Sequence, residues 1–436
     1  MNDRQITEQL LTFLADSPSP FHAVETMSRR FREEGYTELH EEDIWDLKKG
    51  EAYYVTRNHS ALIAFCIPET EEYRFHITAS HSDSPCFKIK EDPEMKVENA
   101  YIRLNVEKYG GMLMHPWFDR PLSVAGRVIL QQNGTLREKT VKADRDLLMI
   151  PSLALHMNRE ANEGMKLNPQ KDMLPLYACG TEEGSFLRTV AEEAGAAPEE
   201  ILGHDLFLYN RMPGCIWGAN REFVSAGRLD DLQCAFASME GFLQAERKKC
   251  IAVHCVLDNE EVGSSTRQGA ASTFLKDTLM RINFGLGRTY EDYLRTIAGS
   301  MMISADNAQA LHPNYTEKAD PVHHPVLNGG IVIKYNANQK YCTDGVTGAF
   351  FRDLCRKAEV PCQTYVNRSD IAGGSTLGNI SGTQAAIRTV DIGLPQLAMH
   401  SCNEILGCKD VETMVSLCRL YYSTPFFVSS GDIKIR

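Results

Sequence analysis

The first residues that could carry chemistry are His81 and Asp83, in the segment HSDSP that follows the apolar stretch RFHITAS. In open α/β sheets, ligands bind in the crevice at the carboxyl ends of strands, so a histidine there could bind a metal ion. Asp83 could orient the imidazole of His81 through a hydrogen bond. A His-x-Asp triplet is common, however, and alone it gives little support to a metal site.

Two adjacent glutamates, Glu260 and Glu261, follow a second apolar stretch, IAVHCVL. An extended backbone would point their side chains in different directions. One carboxylate could then bind a metal ion while the other took a proton from water, and these are the two tasks of metal-assisted hydrolysis. An exposed acidic turn is the alternative interpretation, and taken alone it is the commoner case.

Asp230, Asp306 and His400 offer further ligands. Asp230 stands where a helical pattern begins and could simply cap that helix, but its two oxygens could also bridge two cations. Asp306 and His400 each end an apolar run and could be ordinary polar residues. Together with His81 and the glutamate pair, the three complete a mixed nitrogen and oxygen ligand set that suits zinc. Two cations could also bind a free α-amino group, which favours exopeptidase chemistry.

The elements that must position these residues are apolar, β-favouring segments separated by helical patterns. Apolar residues repeat at helical spacing between Leu232 and Leu243, which is typical of a helix packed on a core. Two helices are predicted near the start, over residues 6–14 and from Phe21 to Glu34. Strand alternating with helix predicts an α/β fold with helices on both faces of a central sheet.

The pattern changes between residues 96 and 223, where short strand-like pieces are separated by turn signals. We therefore predict a catalytic domain in two parts, residues 1–95 and 224–436, interrupted by a smaller β-rich domain at 96–223.

Composition excludes several other classes of protein. The 436 residues are 43% hydrophobic, and a net charge of −12 without a basic block argues against nucleic acid as a partner. No stretch is long and apolar enough to span a membrane, and the N-terminal residues do not form a secretory signal. Thirteen cysteines without a CxxC pair favour reduced, mostly buried thiols. We expect a soluble cytoplasmic protein.

With these segments in hand, the sequence resembles the aspartyl aminopeptidase family of dinuclear zinc metallopeptidases. The resemblance covers nearly the whole chain and follows the family's order of motifs: ITASHSDSPCFKIK, EKYGGMLMHPWFDRPLSVAGRV, IPSLALHMNREAN, GRLDDLQCAFAS, LDNEEVGSSTRQGA, SADNAQALHPNY, IKYNANQKY, GGSTLGNI and QLAMHS.

The resemblance implies two divalent metal ions, expected to be Zn²⁺ with Mn²⁺ or Co²⁺ as alternatives. One ion would be bound by His81, Asp230 and Asp306, and the other by Asp230, Glu261 and His400, with Asp230 bridging. It further implies a mixed central sheet of the zinc-peptidase type, interrupted by the β-rich domain.

Other roles also follow from the resemblance. Glu260 would be the general base, and Asp83 would orient His81. The inserted domain would help to build a homo-oligomer, often a tetrahedral dodecamer, in which His156 reaches a neighbour's active site. Lys334 would contact the side chain of an acidic first residue of the substrate.

The chain departs from the family's pattern at three positions. Gln309 stands where histidine is usual, Asp231 where asparagine is usual and Asn403 where arginine is usual. Gln309 can donate a hydrogen bond to a substrate but cannot carry a proton, so its substrate contact is expected to differ. Asp231 and Asn403 alter the charge balance of the pocket.

We predict a metalloaminopeptidase that hydrolyses the N-terminal bond of peptides, with acidic first residues as the expected preference. A two-metal deacylase or carboxypeptidase is one alternative, because the same cations can cleave other amides. A catalytically silent assembly protein is the other: the intact ligand residues argue against it, and absence of bound metal in the purified protein would argue for it.

Overall fold

The computed structural model describes residues 3–71, 73–180, 182–246, 249–429 and 432–435. The helices in these ranges are α1 (Asp3–Asp16), α2 (Pro20–Glu33), α3 (Pro169–Asp172), α4 (Ser185–Ala194), α5 (Leu229–Leu243), α6 (Phe274–Gly285), α7 (Tyr290–Ala298), α8 (Gly345–Lys357), α9 (Leu377–Ser381) and α10 (Cys408–Ser423). Short 3₁₀ helices lie at His115–Trp117, Pro198–Glu200, Glu260–Val262 and Thr316–Lys318.

The strands are β1 (Thr37–Leu39), β2 (Ala52–Arg57), β3 (Ala61–Cys66), β4 (Phe75–His81), β5 (Cys86–Val97), β6 (Tyr101–Tyr109), β7 (Leu122–Gln132), β8 (Thr135–Lys142), β9 (Leu176–Cys179), β10 (Ile201–Asn210), β11 (Cys215–Trp217), β12 (Phe223–Ala226), β13 (Ile251–Leu257), β14 (Met301–Ala305), β15 (Ala308–Gln309), β16 (Ile331–Tyr335), β17 (Cys362–Val366), β18 (Arg388–Gly393), β19 (Pro395–Leu397), β20 (Glu404–Gly407), β21 (Phe426–Ser429) and β22 (Asp432–Ile435).

A mixed central sheet of nine strands has the order β1-β2-β3-β13-β4-β14-β18-β16-β17. Its middle strands β13, β4, β14 and β18 run parallel to one another. These strands are buried over nearly their whole length, which explains their near-continuous apolar sequences.

Helices cover both faces of this sheet. On β13, Ala252 and Val256 pack into one core with α1, α2, α5, α8 and α10. The alternate residues Val253 and Cys255 pack into a second core with α6, α7 and α9. This period-2 division of β13 between two cores confirms the predicted α/β fold.

The two helices predicted near the N-terminus are confirmed as α1 and α2. The side chain of Ser19 accepts a hydrogen bond from the backbone of His22, and Pro20 occupies the first turn of α2. The SPSP segment therefore both ends one helix and begins the next. None of the helices in the described ranges has the length and apolarity needed to cross a membrane.

A second, antiparallel sheet has the order β8-β7-β10-β5-β6-β9 and its own core with α4. Asn133 and Gly134, with φ angles of 51° and 76°, form the two-residue turn between β7 and β8. This sheet starts at Cys86 and ends at Asn210, somewhat before both limits of the predicted β-rich insertion. The domain limits themselves stay a prediction.

A third sheet, β11-β12-β20-β19-β15, lies beside the central one. The apolar run VDIGLPQLAMH, which the sequence suggests is one strand leading to His400, is in fact two. Its first half is β18 in the central sheet, and its second half is β19 in the third sheet. The chain changes sheets at Leu394–Pro395, and Pro395 pairs with Ala308 of β15 in the third sheet.

Candidate metal centre

Two of the predicted ligands stand at the ends of neighbouring parallel strands. His81 is the last residue of β4, and Asp306 directly follows β14. Both side chains are buried. His81 Nε2 lies 3.9 Å from Asp306 Oδ1. The carboxyl ends of the central strands therefore bring together residues that are far apart in the sequence.

Asp230 lies between the two predicted histidine ligands. Its Oδ1 is 3.6 Å from His81 Nε2, and its Oδ2 is 3.5 Å from His400 Nε2. The backbone of Asp230 departs from helical geometry with ψ 107° near the start of α5, and its peptide bond to Asp231 is cis. The two distances show that the carboxylate faces the histidines and not the start of the helix.

The glutamate pair has a different backbone from the one expected. Asn259 has φ 60°, and Glu260 and Glu261 begin a 3₁₀ helix, so the extended conformation is wrong. The carboxylate of Asp83 holds this turn, because it accepts the backbone N–H groups of both glutamates at 3.1 Å. Glu261 Oε2 lies 3.5 Å from His400 Nε2, and one oxygen of each glutamate lies within 4.8 Å of the other and of a His81 ring nitrogen.

Candidate ligand atoms within 4.8 Å of one another form three groups among the described residues, namely His81, Asp230 and Asp306; Asp230, Glu261 and His400; and His81, Glu260 and Glu261. The first two groups share Asp230. These are the two trios that the family resemblance implies, and Glu260 stands beside them.

His400 is positioned by a residue that the sequence did not single out. It has φ 65°, and its backbone N–H donates to Glu404 Oε1 at 2.7 Å. The other oxygen, Oε2, accepts the backbone N–H of Asp230 at 3.0 Å. Glu404 is buried, so one side chain fixes two candidate ligands from separate elements.

The second sheet also contacts the centre. The hydroxyl of Tyr109 donates to Asp83 Oδ2 at 2.8 Å, and the backbone N–H of Leu113 donates to the carbonyl of His400 at 3.0 Å. Gly110 has φ 76°, and a Cβ there would lie 3.0 Å from the Cβ of Glu261. Only glycine allows so close an approach in this conformation.

Asp83 has two contacts with His81 besides its role in the turn. The Nδ1 of His81 is 3.0 Å from the carbonyl oxygen of Asp83 and 3.3 Å from its Oδ1. These oxygens can accept a proton on Nδ1 and leave Nε2 free to face the carboxylates.

The centre concentrates acidic groups away from water. Burial raises the pKa of Glu260 to about 8, with Asp306 adding to the effect and His81 opposing it. Burial also raises the pKa of Glu261 well above its usual value. For Asp230, burial is outweighed by His400 and His81, which lower the pKa. Burial therefore favours the protonated forms of Glu260 and Glu261 unless positive charge compensates them.

Divalent cations fit this arrangement. Asp230 Oδ1 and Glu261 Oε1 are buried, and neither has a hydrogen-bond partner anywhere in the described ranges. Unpaired buried carboxylate oxygens are unfavourable, and two imidazoles face the same space. Carboxylate and imidazole together suit zinc. The residues present therefore match the group that the resemblance implies.

The other predicted site residues, which the sequence assigned to substrate binding or to a neighbour's active site, lie in different surroundings. Lys334 is 2% exposed, and its ammonium donates to the carbonyls of Asp306 and Asn307. Gln309 lies on β15 with its side chain exposed, and its Oε1 accepts a hydrogen bond from Tyr365. His156 lies on an exposed turn between Leu155 and Met157, which is not helical.

Two of the departures from the family pattern lie at or near the centre. Asp231 is fully buried, and its Oδ2 accepts the backbone N–H of His81 at 3.2 Å. Burial raises the pKa of Asp231 well above its usual value. Asn403 is half-buried, and its backbone N–H donates to Ser401.

Glu404 and Tyr109 are the site residues that sequence reasoning missed. Glu404 lies four residues after His400, and Tyr109 ends the motif EKY. Neither spacing marks a role, since an acid after a loop and a tyrosine at a strand end are both ordinary.

The fold and the centre together define a metallohydrolase, with carboxylates and imidazoles gathered at the ends of parallel strands. Comparison with known proteins identifies the kind. The family described as "Aminopeptidase I zinc metalloprotease (M18)" matches residues 13–422. The chain belongs to this family and is a zinc-dependent aminopeptidase.

Individual relatives agree with this assignment. The "Probable M18 family aminopeptidase 2" of Clostridium acetobutylicum is 46% identical over 417 residues, which cover 94% of this chain and 96% of that protein. The solved complex of Ape4 and Nbr1 has a chain with a TM-score of 0.93 and 34% identity, covering 96% of this chain and 86% of that one. The mApe1 dodecamer of S. cerevisiae gives a TM-score of 0.84 at 27% identity, with 96% of each chain covered.

Proposed function

We propose that this aminopeptidase hydrolyses the N-terminal bond of peptides with two divalent cations, Zn²⁺ in preference to Mn²⁺ or Co²⁺. The observation that carries the proposal is the position of Asp230, whose two oxygens face His81 and His400 separately. One ion would be held by His81, Asp230 and Asp306, and the other by Asp230, Glu261 and His400. A carboxylate shared in this way is what a two-metal site requires.

When bound, the two ions would activate water, polarise the scissile carbonyl and bind the free α-amino group of the substrate. Glu260 stands beside both trios without belonging to either, so we assign it the role of general base. It would accept a proton at its carboxylate and return it to the leaving amine. Asp83 would keep the proton of His81 on Nδ1 and hold the turn that carries Glu260.

Metal stoichiometry tests the shared carboxylate. Asp230→Asn should lower the content of both ions, whereas His400→Ala and Asp306→Asn should each lower one. Content is measured by elemental analysis after reconstitution with Zn²⁺. Glu412→Gln, a carboxylate change on α10 away from the centre, serves as the control. If Asp230→Asn still bound one of the two ions with full affinity, Asp230 would not bridge them.

Turnover tests the reaction itself. Peptides beginning with Asp, Glu, Leu, Met or Lys are compared with their N-acetylated forms, with and without chelator. An aminopeptidase of this kind loses activity on acetylation and on chelation. Hydrolysis of acetylated peptides would favour the deacylase alternative, and a metal-bound protein without turnover on any peptide would favour the silent assembly.

A preference for acidic first residues is a finer prediction that depends on Lys334. Its buried ammonium already contacts the carbonyl of Asp306, with Asp306 Oδ2 at 3.7 Å. A substrate carboxylate would have to join or replace these contacts. The same peptide panel measures the preference, and Lys334→Met should reduce the ratio of Asp to Leu turnover if the ammonium selects acids.

We further propose a cytoplasmic homo-oligomer, with the tetrahedral dodecamer as the first candidate. All thirteen cysteines are free, as a reducing compartment would keep them. His156 lies among exposed apolar side chains, with Leu155 56% and Met157 75% exposed. Such a segment is typical of an interface, and it would carry His156 to a neighbouring active site.

Mass measurement in solution tests the oligomer. Met157→Glu should shift the protein towards smaller species, whereas Ile44→Glu, at a position 98% exposed, should not. His156→Ala should then lower turnover without changing the mass.

A further inference from the structure

A cavity of about 250 Å³ lies beside strands β15 and β19. Gln309, Tyr365, Gln396 and Met399 are among its lining residues. Met399 directly precedes His400, and Gln309 lies three residues after Asp306. The chain segments that line the cavity therefore also carry two of the candidate metal ligands.

Two glutamines lie next to each other in its wall. Gln309 on β15 and Gln396 on β19 are paired residues of two parallel strands. Paired residues of adjacent strands project to the same face of a sheet, so the two amides are neighbours.

The amide of Gln309 has a defined orientation. Asn367 Nδ2 donates to the hydroxyl of Tyr365 at 3.0 Å, and that hydroxyl donates its own proton to Gln309 Oε1 at 3.3 Å. Because the oxygen is engaged, the NH₂ group is left as the free end. In the described part of the chain, that nitrogen has no hydrogen-bond partner.

Gln396 has the complementary property. Its side chain is 2% exposed, and neither its nitrogen nor its oxygen finds a partner among the residues described. A buried amide left unpaired on both atoms is unfavourable. It would be satisfied by a group that both donates and accepts a hydrogen bond.

We propose that Gln309 and Gln396 form a subsite for an amide group of the substrate. An amide offers one carbonyl and at least one N–H, which matches the free NH₂ of Gln309 and both atoms of Gln396. A carboxylate only accepts hydrogen bonds and would leave the Gln396 oxygen unpaired. The amide has two sources in a peptide, namely the peptide bond after the scissile one or the side chain of an Asn or Gln first residue. The proposal rests on the aminopeptidase function proposed above.

The test compares substrates that differ by one amide. One pair has Leu-Ala-Ala and its analogue with an ester in place of the second linkage. The other pair has peptides beginning with Gln and with Met. In the wild type, loss of the bound amide should reduce kcat/KM roughly five- to tenfold, as expected for a hydrogen-bonded pair. The pair that shows the reduction identifies the source of the amide.

The Gln396→Met variant, which keeps the volume of the side chain but not its hydrogen bonds, should abolish that difference between paired substrates. The control is Gln384→Met, at a half-buried position outside the cavity. Tyr365→Phe gives a second variant, because it frees the Gln309 amide to rotate, and it should weaken the discrimination in part. Binding of the same peptides to Glu260→Gln, measured by calorimetry, gives the affinities without turnover.

If Gln396→Met lowered kcat/KM by the same factor for amide and ester substrates, the proposal would be overturned and Gln396 would be a structural residue. The proposal would also be overturned if Glu260→Gln bound each amide peptide and its partner without the amide with equal affinity. A wild type that binds the amide peptides selectively but cleaves none would instead refute the proposed function and leave the subsite standing.

Discussion

Glu404 accepts the backbone N–H of His400 at 2.7 Å with one carboxylate oxygen. Its other oxygen accepts the backbone N–H of Asp230, so two of the three candidate ligands of the second ion share one support. Glu404→Gln removes one of these two acceptors, because the amide nitrogen cannot accept. We expect affinity for the second ion to fall about 10- to 100-fold, as for other residues that orient ligands.

Titration of the metal-free protein with Zn²⁺ measures this loss. Glu412→Gln is the matched control, since the Glu412 side chain, within the described part of the chain, has a hydrogen bond only with the hydroxyl of Ser416. Unchanged affinity at both sites would show that Glu404 does not position His400.

Adjacent glutamates should respond differently to the same change. Glu260→Gln should retain both ions and lose turnover by about 10²- to 10⁴-fold, the usual contribution of a general base. Glu261→Gln should lose affinity for one ion, because its carboxylate is 3.5 Å from His400 Nε2. Kinetics at saturating Zn²⁺ and elemental analysis distinguish them. Full activity in Glu260→Gln would remove it from the mechanism.

Gly110 and Gly134 form a matched pair of glycines with the same φ of 76°. Alanine at either position costs about 1–2 kcal/mol of stability in that conformation. A Cβ at Gly110 would lie 3.0 Å from the Cβ of Glu261, whereas none of the described atoms lies within 4 Å of one at Gly134. Gly110→Ala alone should therefore weaken metal binding, by about tenfold or more. Equal activities of the two variants would contradict this contact.

Two buried histidines should make the protein sensitive to mild acid. Burial lowers the pKa of His76 and of His254 to about 3. The unfolded chain binds protons near pH 6.5, so it holds more protons than the folded chain between these values, and the unfolding free energy falls as pH decreases. When the pH falls from 7 to 5, each of these histidines should lower the unfolding free energy by about 2 kcal/mol.

Denaturant titrations at pH 7 and pH 5 measure this effect. His76→Phe keeps the stacking on Phe426. It should reduce the acid-induced loss of unfolding free energy by the contribution of one histidine. If the wild type and His76→Phe lost the same unfolding free energy between pH 7 and pH 5, His76 would not be both buried and uncharged in the folded protein.

The sequence predicts the parts of the centre that lie at the ends of apolar strands. His81 and Asp306 follow β4 and β14, and burial on both faces makes such strands recognisable. The same rule predicts helices on both sides of the sheet. These features depend on local patterns, which a single sequence displays.

Other features depend on distant contacts and were not predictable. The turn at Glu260 forms because Asp83 accepts its backbone N–H, and Asp83 lies more than 170 residues earlier. The hydrogen bonds of Glu404 and Tyr109 also join residues that are distant in the sequence or lie on different elements. Nothing in the local sequence around either residue marks these contacts. The split of the run before His400 between two sheets is likewise decided by tertiary pairing.

The order of the ligands along the chain has a consequence for biosynthesis. His81 leaves the ribosome more than 300 residues before His400 and Glu404. At common translation rates, roughly 15 to 60 s separate the emergence of the first ligand from that of the last. Throughout that interval the nascent polypeptide has no complete centre, so proteolytic capability arises only after His400 has emerged.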